Sequence, residues 1–365
     1  MERAYITTRF FLVLTALAGA LTLAAPLVPQ AQTVDEFGSP TLKGAGSTFA
    51  HPLMVAWARD YRVFRNGNVA VVAAGGGLDD EIGGVALDYE AVGSQAGIQR
   101  VKARAVDFAV SEMPLPADDL RRHGLLQVPL AAGAVAVAVN IEGHVASELR
   151  LSPGLLVDIF LGRVKTWADP AIAQLNLDLK LPAAPIAVVH RADGSGTTYT
   201  FTTFLAQSSA DWKSQVGSDL LVNWPVGEGY KGNSGVARAL QNTPNSIGYL
   251  DLVQALAAKL QVARVQNTSG RFVAPSGASI QAAMASANWD PATQFNTLLV
   301  NMAGEDSYPI VAAVFGLASD RSAQRPQTAR AFLEWSVTSG RATAEKLGYV
   351  ALPPSAVQKV QAVLR

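Results

Sequence analysis

Apolar and polar positions along this chain follow two alternating patterns. Continuous apolar runs such as Gly133–Ile141 and Ile186–His190 are typical of strands that are buried on both faces of a sheet. Between such runs, apolar residues recur three or four positions apart, which predicts amphipathic helices. Strands that alternate with helices predict the α/β fold class. In the first such helix, from Phe49 to about Phe64, the predicted buried face is Phe49, Leu53, Met54, Trp57 and Tyr61.

The same patterns predict the remaining elements. The chain has no internal repeat and no obvious linker, which favours two lobes that share crossing strands over two separate domains. The other predicted strands are Thr41–Ala45, Val69–Ala73, Ala86–Val92, Val106–Val110 and Tyr308–Phe315. The other predicted helices begin near Ser94 and Thr198 or lie at Leu155–Leu161, Pro170–Leu175, Thr328–Thr338 and Pro354–Leu364.

The first thirty or so residues have the pattern of an export signal. Two arginines give a positive start, and the uncharged apolar run Phe10–Ala25 is followed by a breaker-rich region that ends near Ala31. The alternative is a buried or membrane-anchoring helix, but a bilayer span needs about 20 apolar residues and this run is shorter. We therefore interpret residues 1–31 as a cleaved signal peptide and residues 32–40 as a polar leader.

Composition narrows the class of protein. Of the 365 residues, 49% are hydrophobic and 16% are charged, which excludes a disordered chain. The 29 basic residues balance the 29 acidic ones, so no charge excess indicates nucleic acid, and we expect none as a partner. The absence of cysteine excludes disulfides, thiolate metal sites and a lipid anchor on a cysteine. An exported chain of this kind is expected in a periplasm.

Three segments share one design, in which a strand ends, a glycine-flanked hydroxyl follows and a helix begins. They are residues 44–49 (the first turn), 93–97 (the second turn) and 191–198 (the third turn). The first N–H groups of a helix have no internal partner, and the helix dipole is positive there, so such a turn can bind an oxyanion. The alternative for each segment is ordinary capping of a helix by Ser or Thr.

Two charged residues sharpen this hypothesis. Arg191 is the one permanent cation in the three turns, and its guanidinium can donate two parallel hydrogen bonds to an oxyanion, with Asp193 holding it in place. The alternative for this pair is a weak surface ion pair. Glu112 follows a predicted strand and would repel an anion unless the ligand carries a proton, which favours phosphate over fully ionised sulfate. The alternative for Glu112 is a solvated carboxylate in a turn.

Signatures of enzymes are thin in this sequence. There is no Gly-x-x-x-x-Gly-Lys-Ser/Thr loop, and Ser195 does not lie in a Gly-x-Ser-x-Gly elbow. The four histidines show no metal-ligand spacing, and we interpret His190 as structural rather than as a base for Ser195. The acidic, glycine-rich segment Gly75–Gly84 is either a mobile loop or a cation site. We expect no catalytic residue, cofactor or metal, and a secreted phosphatase that uses Ser195 or Thr48 stays an alternative.

Several motifs resemble those of the phosphate-binding proteins of bacterial phosphate ABC importers, the PstS family. The resemblance runs from about Leu42 to the C-terminus, and its strongest motif is Arg-Ala-Asp-Gly-Ser-Gly-Thr at 191–197. The other motifs are Gly-Ala-Gly-Ser-Thr-Phe at 44–49, Val-Asp-Phe at 106–108, Leu-Gly-Arg-Val-Lys-Thr-Trp at 161–167, Tyr-Lys-Gly-Asn-Ser-Gly-Val at 230–236 and Ser-Ile-Gly-Tyr at 246–249.

The resemblance implies a two-lobed periplasmic-binding-protein fold of type II with a hinge of two crossing strands, near Val128–Val135 and Ile247–Val253. Lobe I would comprise residues 41–130 with 250–365, and lobe II residues 131–249. The resemblance also implies capture of inorganic phosphate in the cleft between the lobes and its delivery to the membrane permease of an ABC importer. We expect the protein to be a monomer.

Carried over position by position, the resemblance implies a phosphate site formed by the three turns and the acceptor Glu112. Backbone N–H groups contribute in the first turn, and hydroxyls and the guanidinium contribute elsewhere. The expected ligand residues are Thr48, Phe49, Ser94, Glu112, Arg191, Ser195, Gly196 and Thr197, with Ser47 and Asp193 in support.

The sequence departs from the family pattern in three places. Glu112 stands where the family has an aspartate, and its extra methylene changes the reach of the carboxylate. Ala50-His51-Pro52 replaces the usual Pro-x-Pro, which puts a histidine near the rim of the site, and the stretch Val69–Leu87 is longer than usual. Another oxyanion, such as sulfate, arsenate or a phosphonate, therefore stays an alternative ligand.

Overall fold

The computed structural model of the protein describes residues 41–65, 87–142, 149–319 and 326–365. The expected signal peptide and leader, the predicted strand Val69–Ala73 and the segment Gly75–Gly84 lie outside the described residues. By their contacts, the described residues belong to a single compact unit.

The described residues form strands and helices that alternate along the chain. The strands are β1 (Leu42–Gly46), β2 (Leu87–Glu90), β3 (Phe108–Ser111), β4 (Leu125–Asn140), β5 (Arg150–Leu151), β6 (Ala187–Arg191), β7 (Glu228–Tyr230), β8 (Ser246–Asp251), β9 (Gln261–Val262), β10 (Arg264–Gln266), β11 (Phe272–Val273), β12 (Val311–Ser319) and β13 (Val350–Ala351). The helices are α1 (His51–Arg65), α2 (Ser94–Lys102), α3 (Ala117–His123), α4 (Pro153–Phe160), α5 (Pro170–Ala173), α6 (Gly196–Ser208), α7 (Ala210–Gln215), α8 (Gly232–Asn242), α9 (Leu252–Ala257), α10 (Gly277–Ala285), α11 (Pro326–Val337), α12 (Arg341–Lys346) and α13 (Pro354–Leu364).

The long strand β4 joins two groups of strands in one large mixed sheet. The strand order is β2-β1-β3-β12-β4-β8-β6-β7, and β9 and β13 also pair with β4. The first part of β4, up to Ala134, pairs with β12, and the part from Val135 onward pairs with β8. A separate small sheet has the order β11-β10-β5.

The two groups of strands run in opposite directions but end at the same place. Strands β1, β2 and β3 are mutually parallel, and so are β6, β7 and β8. At the carboxyl end of β3, Ser111 lies opposite Phe315, which itself lies opposite Pro129 near the middle of β4. At the carboxyl end of β8, Asp251 lies opposite Val135, also near the middle of β4. The segments that follow both groups of strands therefore face each other across the centre of the sheet.

Strand β4 is longer than its apolar pattern predicts. The sequence predicts a strand over Gly133–Ile141, whereas β4 begins at Leu125. The prediction begins too late because Gln127 and Pro129 interrupt the apolar run. Gln127 is buried, but its side chain accepts a hydrogen bond from Leu115 N (2.8 Å) and donates one to Gln294 O (2.9 Å). Pro129 lies beside a β-bulge, where a missing N–H donor is tolerated.

Helix α1 buries the face that the sequence predicts, since Phe49, Leu53, Met54, Trp57 and Tyr61 are all buried. The helix begins at His51 rather than at Phe49, which leaves the preceding residues in a turn between β1 and α1. This shift matters for the site, because Thr48 and Phe49 carry backbone N–H groups ahead of the helix instead of inside it.

Candidate oxyanion-binding site

The first turn follows β1 and is closed by its own serine. Gly46 has φ +136°, and a Cβ there would overlap Val110 O, so the position requires glycine. Ser47 N donates to Val110 O (2.9 Å), and Ser47 Oγ accepts a hydrogen bond from Ala50 N (3.0 Å). Ser47 Oγ in turn donates to Glu112 Oε1. The serine that was expected to support the site thus links the first turn to the buried carboxylate.

The second turn contacts both of the others. Gly93 N donates to Gly46 O (2.8 Å) in the first turn, and Gln95 N donates to Gly194 O (3.1 Å) in the third. Ser94 is the first residue of α2 and is 1% exposed. Its hydroxyl donates to Glu112 Oε2 (3.3 Å) and accepts from Gly196 N (3.1 Å). Ser94 is therefore a bridge between turns rather than a helix cap.

The third turn ends at the N-terminus of α6. Ser195 caps this helix by accepting a hydrogen bond from Thr198 N (3.2 Å), and Ser195 N donates to Leu220 O (2.7 Å). Ser195 Oγ therefore caps helix α6 as an acceptor, which was the alternative role for this hydroxyl. A Cβ on Gly196 would overlap Glu112 Oε2, which shows how closely this helix terminus approaches the carboxylate.

Several backbone donors in these turns have no partner within the described part of the chain. The N–H groups of Thr48, Phe49 and Thr197 donate to no described acceptor. All three residues were predicted as ligands, and Phe49 and Thr197 are almost completely buried. Buried N–H groups carry a large cost when they are unpaired, so these three amides suit an anionic ligand.

Arg191 lies in the interior, with 1% of its surface exposed. Its Nε and Nη2 donate to the two oxygens of Asp193 at 2.8 and 2.5 Å, and its Nη1 donates to Asn233 Oδ1 at 2.9 Å. Although burial acts to raise it, the hydrogen bonds and charge of Arg191 hold the pKa of Asp193 below its ordinary value. The alternative of a surface ion pair is wrong for this pair, because both partners are shielded from solvent.

Arg191 pairs with Asp193 through the edge formed by Nε and Nη2, and the edge formed by its two terminal nitrogens remains available to a ligand. Of its five N–H donors, three are engaged by described residues. One N–H remains on each terminal nitrogen of Arg191, and these two N–H groups can meet an oxyanion end-on.

Glu112 is 2% exposed, so the alternative of a solvated carboxylate in a turn is wrong. Burial raises the pKa of Glu112 to about 7, although the hydrogen bond from Ser47 and the charge of Arg191 act to lower it. Near neutral pH this carboxyl group therefore populates both protonation states, and it can accept a hydrogen bond from a protonated ligand.

The structure adds residues to the site that the sequence motifs did not single out. Asn233 is fully buried at the start of α8 and binds three of the predicted ligand residues. Its N donates to Thr48 Oγ1 and its Nδ2 donates to Thr197 Oγ1, both at 3.3 Å, while its Oδ1 accepts from Arg191. Its motif, residues 230–236, resembles that of the family, and this resemblance was the sequence signal that could have identified Asn233.

No sequence signal marks Asp251, whose pKa burial raises to about 8.

His51 and His190, which lie in the described part of the chain, do not enter this network. His190 stacks on Trp224 at 4.9 Å between ring centroids, and its Nδ1 lies 3.1 Å from Arg191 O, which fits the structural role expected of it. His51, predicted near the rim, is exposed and stacks on Tyr89 at 6.5 Å. Within the described ranges, no group of three or more potential metal ligands is present and no helix is long and apolar enough to span a membrane.

Comparison with known proteins agrees with this architecture. The model of the PBP superfamily domain matches residues 30–339. The phosphate-binding protein PstS of Xylella fastidiosa (strain 9a5c) is 39% identical over 333 residues, which cover 90% of this chain and 86% of that protein. PstS of Pasteurella multocida (strain Pm70) is 39% identical over 325 residues, 88% of this chain and 89% of that protein. The solved phosphate-bound periplasmic protein PfluDING superimposes with a TM-score of 0.63 at 22% identity, covering 88% of this chain and 93% of that chain.

The fold and the domain match define the class, a mixed α/β domain of the periplasmic-binding-protein superfamily. With this level of identity over about nine tenths of its length, the chain belongs to the PstS family of phosphate-binding proteins. The predicted fold class and family are thereby confirmed. These relatives are named as binding proteins and not as enzymes. The roles of the individual site residues and the division into lobes stay predictions.

Proposed function

We propose that this chain is an exported, periplasmic solute-binding protein that captures inorganic phosphate and delivers it to the membrane permease of an ABC importer. Membership of the PstS family supports this proposal. The observation that carries it is the convergence of three turns, distant in sequence, around Arg191 and Glu112. If the three turns lay on unrelated parts of the surface, they could not bind one anion together.

Phosphate would be held by neutral donors together with one partly compensated cation. The principal donors are the N–H groups of Thr48, Phe49 and Thr197 and the two remaining N–H groups of Arg191, with the hydroxyl of Ser195 beside them. Ser94 Oγ donates to Glu112 and Gly196 N donates to Ser94 Oγ, so each of these two donors would reach the ligand by exchanging that hydrogen bond. Each hydrogen bond to a charged group contributes about 1.5–3 kcal/mol, so five of them, at about 7.5–15 kcal/mol in all, are enough to reach the roughly 8 kcal/mol of a micromolar complex.

Glu112 would act as the selectivity filter. Its buried carboxylate accepts a hydrogen bond from a protonated phosphate oxygen, whereas fully ionised sulfate offers no proton and would place two negative charges in contact. The pairing of Arg191 with Asp193 supports this filter, because it leaves the site without a net positive charge that would attract every anion alike.

The proposal includes two lobes that close on the ligand, residues 41–130 with 250–365 and residues 131–249. The neighbouring strands β4 and β8 would serve as the hinge, since β4 changes its pairing partner between Ala134 and Val135. The proposed protein is a monomer that is exported with loss of its signal peptide, and it binds phosphate without turnover or cofactor.

Isothermal titration calorimetry of the purified protein with phosphate and with sulfate, from pH 6 to 8.5, tests this function. We expect micromolar or tighter binding of phosphate. At the alkaline end of this range, where Glu112 is ionised, sulfate should bind at least about a hundredfold more weakly, the equivalent of one or two charged hydrogen bonds, and this difference should shrink below pH 7 as Glu112 becomes protonated. Equal affinities for phosphate and sulfate would contradict the role of Glu112 as a selectivity filter, and absence of phosphate binding would contradict the proposed function. If the protein hydrolyses a phosphomonoester and Ser195→Ala abolishes this activity, the protein is an enzyme rather than a binding protein.

A further inference from the structure

Three consecutive carbonyl oxygens of the first turn are each held by a side chain from a distant part of the chain. Such local turns usually satisfy their carbonyl groups through nearby backbone or water. Here the donors come from β2, α9 and the segment before β13. The hydrogen bonds are Tyr89 Oη to Ser47 O (3.0 Å), Gln254 Nε2 to Thr48 O (2.9 Å) and Tyr349 Oη to Phe49 O (2.7 Å).

A hydrogen bond that fixes a backbone carbonyl group also fixes the direction of the N–H group of the next residue. In a planar trans peptide, the C=O of one residue and the N–H of the following residue lie in one plane and point in opposite directions. Fixing the carbonyl of Ser47 therefore fixes the N–H of Thr48, and fixing the carbonyl of Thr48 fixes the N–H of Phe49. These are the two amides that donate to no described acceptor and that the proposed function assigns to phosphate.

We infer that Tyr89 and Gln254 are positioning residues that aim the amides of Thr48 and Phe49 at the bound oxyanion. This inference rests on the proposed phosphate binding. Neither side chain needs to touch the ligand, because each acts through the peptide plane that it holds. Donors that are oriented before the ligand arrives lose less entropy on binding and so bind it more tightly.

Tyr349 supports the same turn one peptide further on. Its hydroxyl holds the carbonyl of Phe49, which directs the N–H of Ala50 to Ser47 Oγ (3.0 Å). The hydroxyl of Ser47 then donates to Glu112. Tyr349 thus acts on the acceptor side of the site, and its effect on the anion donors is less direct than that of Tyr89.

The positioning side chains are themselves fixed. Asp251 is fully buried and accepts from Gln254 Nε2 (2.6 Å) and from Gln254 N (2.9 Å), which sets the direction of the side-chain amide. Tyr89 stacks on Phe108 at 6.2 Å. Burial raises the pKa of Tyr89 well above its ordinary value, and the charge of Glu112 acts in the same direction, so the hydroxyl stays protonated and able to donate.

Substitutions that delete only the donor test this inference. Tyr89→Phe and Gln254→Met keep the approximate shape of the side chain. Tyr89→Phe removes the hydrogen bond to Ser47 O, and Gln254→Met removes the hydrogen bonds to Thr48 O and Asp251 Oδ2. Each variant should weaken phosphate binding about threefold to tenfold by calorimetry. Ser336→Ala is the matched control, because Ser336 is buried and its hydroxyl donates to a backbone carbonyl, Phe332 O (2.8 Å), within α11 and outside the three turns and the proposed hinge. Phosphate affinity should be unchanged in the control.

Amide NMR signals distinguish positioning from general loosening. Phosphate should shift the amide signals of Thr48 and Phe49 in the wild type. Tyr89→Phe should diminish the shift at Thr48 and Gln254→Met the shift at Phe49, whereas a merely structural role would not assign one amide to each variant.

The outcomes separate this inference from the function on which it rests. If the wild type binds phosphate and the two variants bind it equally well, or if Ser336→Ala loses as much affinity as they do, the positioning role is wrong and the function stands. A wild type that binds no phosphate removes both. Selective loss in Tyr89→Phe and Gln254→Met, with the matching changes at Thr48 and Phe49, supports the inference.

Discussion

The first and third turns bring hydrogen-bond donors to the same place by opposite means. The first turn offers neutral amides whose directions are set by side chains 42 to 300 residues away along the chain. The third turn offers a guanidinium whose principal partner, Asp193, lies only two residues further on. One turn is organised by the tertiary structure and the other largely by its own sequence.

The two arrangements fail in different ways. A neutral amide that loses its support can still rotate back toward the ligand, so each deletion should cost one modest hydrogen bond. A buried guanidinium that is removed leaves its carboxylate partner unpaired and takes several strong donors with it. Substitutions in the third turn should therefore weaken binding more than substitutions around the first turn.

The largest effect is expected from Arg191→Met. Two charge-assisted hydrogen bonds to phosphate are lost at about 1.5–3 kcal/mol each, so affinity should fall by at least about a hundredfold in calorimetry. Arg163→Met is the matched control, since Arg163 pairs with Asp158 and Asp211 on the surface and should change affinity by less than about twofold.

A second variant guards this prediction against misfolding. Arg191→Lys keeps the charge but not the planar fork, so it should bind phosphate with an affinity between those of the wild type and Arg191→Met. If Arg191→Lys binds as tightly as the wild type, the end-on fork has no role and the contrast between the turns disappears.

The same contrast explains what the sequence can and cannot predict. The glycine-flanked hydroxyls, Arg191 and Asp193 lie together in one short motif, so local chemistry suffices to select them. The supports of the first turn have no such signal, because Tyr89 and Tyr349 look like ordinary strand or loop aromatics and Gln254 like a surface helix residue. Their role arises only when the fold brings β2, α9 and the C-terminal region around residues 47–49.

The fold was more predictable than its boundaries. Periodicity located the core face of α1 and six of the thirteen described strands, because burial on one or both faces constrains residue type directly. It missed the first eight residues of β4, where a buried glutamine is satisfied by distant backbone groups and a proline lies beside a bulge. Tertiary contacts decide such positions, and a single sequence does not contain them.

An intermediate effect is expected at Glu112, which the first two turns share through Ser47 and Ser94. Its pKa rises from a model-peptide value of 4.5 to about 7 on folding, so the unfolded chain ionises first as the pH increases. The contribution of Glu112 to stability is therefore fully present below pH 4.5 and is lost as the pH rises through 7. In Glu112→Gln this loss is absent.

Urea unfolding in phosphate-free buffer measures this effect. Between about pH 4.5 and 7.5, the free energy of unfolding of the wild type should fall relative to that of Glu112→Gln by an amount on the order of 2 kcal/mol. The charge of Glu112 also acts to raise the pKa of Asp251, so the difference contains this coupling as well as the titration of Glu112 itself. A difference that is constant over this range would mean that Glu112 is not held in its neutral form by burial.

A smaller effect than those of Arg191 and Glu112 is expected where the third turn meets Glu112. In Gly196→Ala, the new Cβ would overlap Glu112 Oε2 and lie 2.8 Å from Glu112 N and Ser94 Oγ, so the α6 terminus must move away from the carboxylate. Affinity for phosphate should fall about tenfold, which corresponds to roughly 1.4 kcal/mol. Gly277→Ala is the matched control, because Gly277 is also the first residue of a helix and a Cβ there meets nothing within 4 Å. If both variants bind phosphate like the wild type, the helix terminus does not take part in the site, and binding depends on the first turn and Arg191.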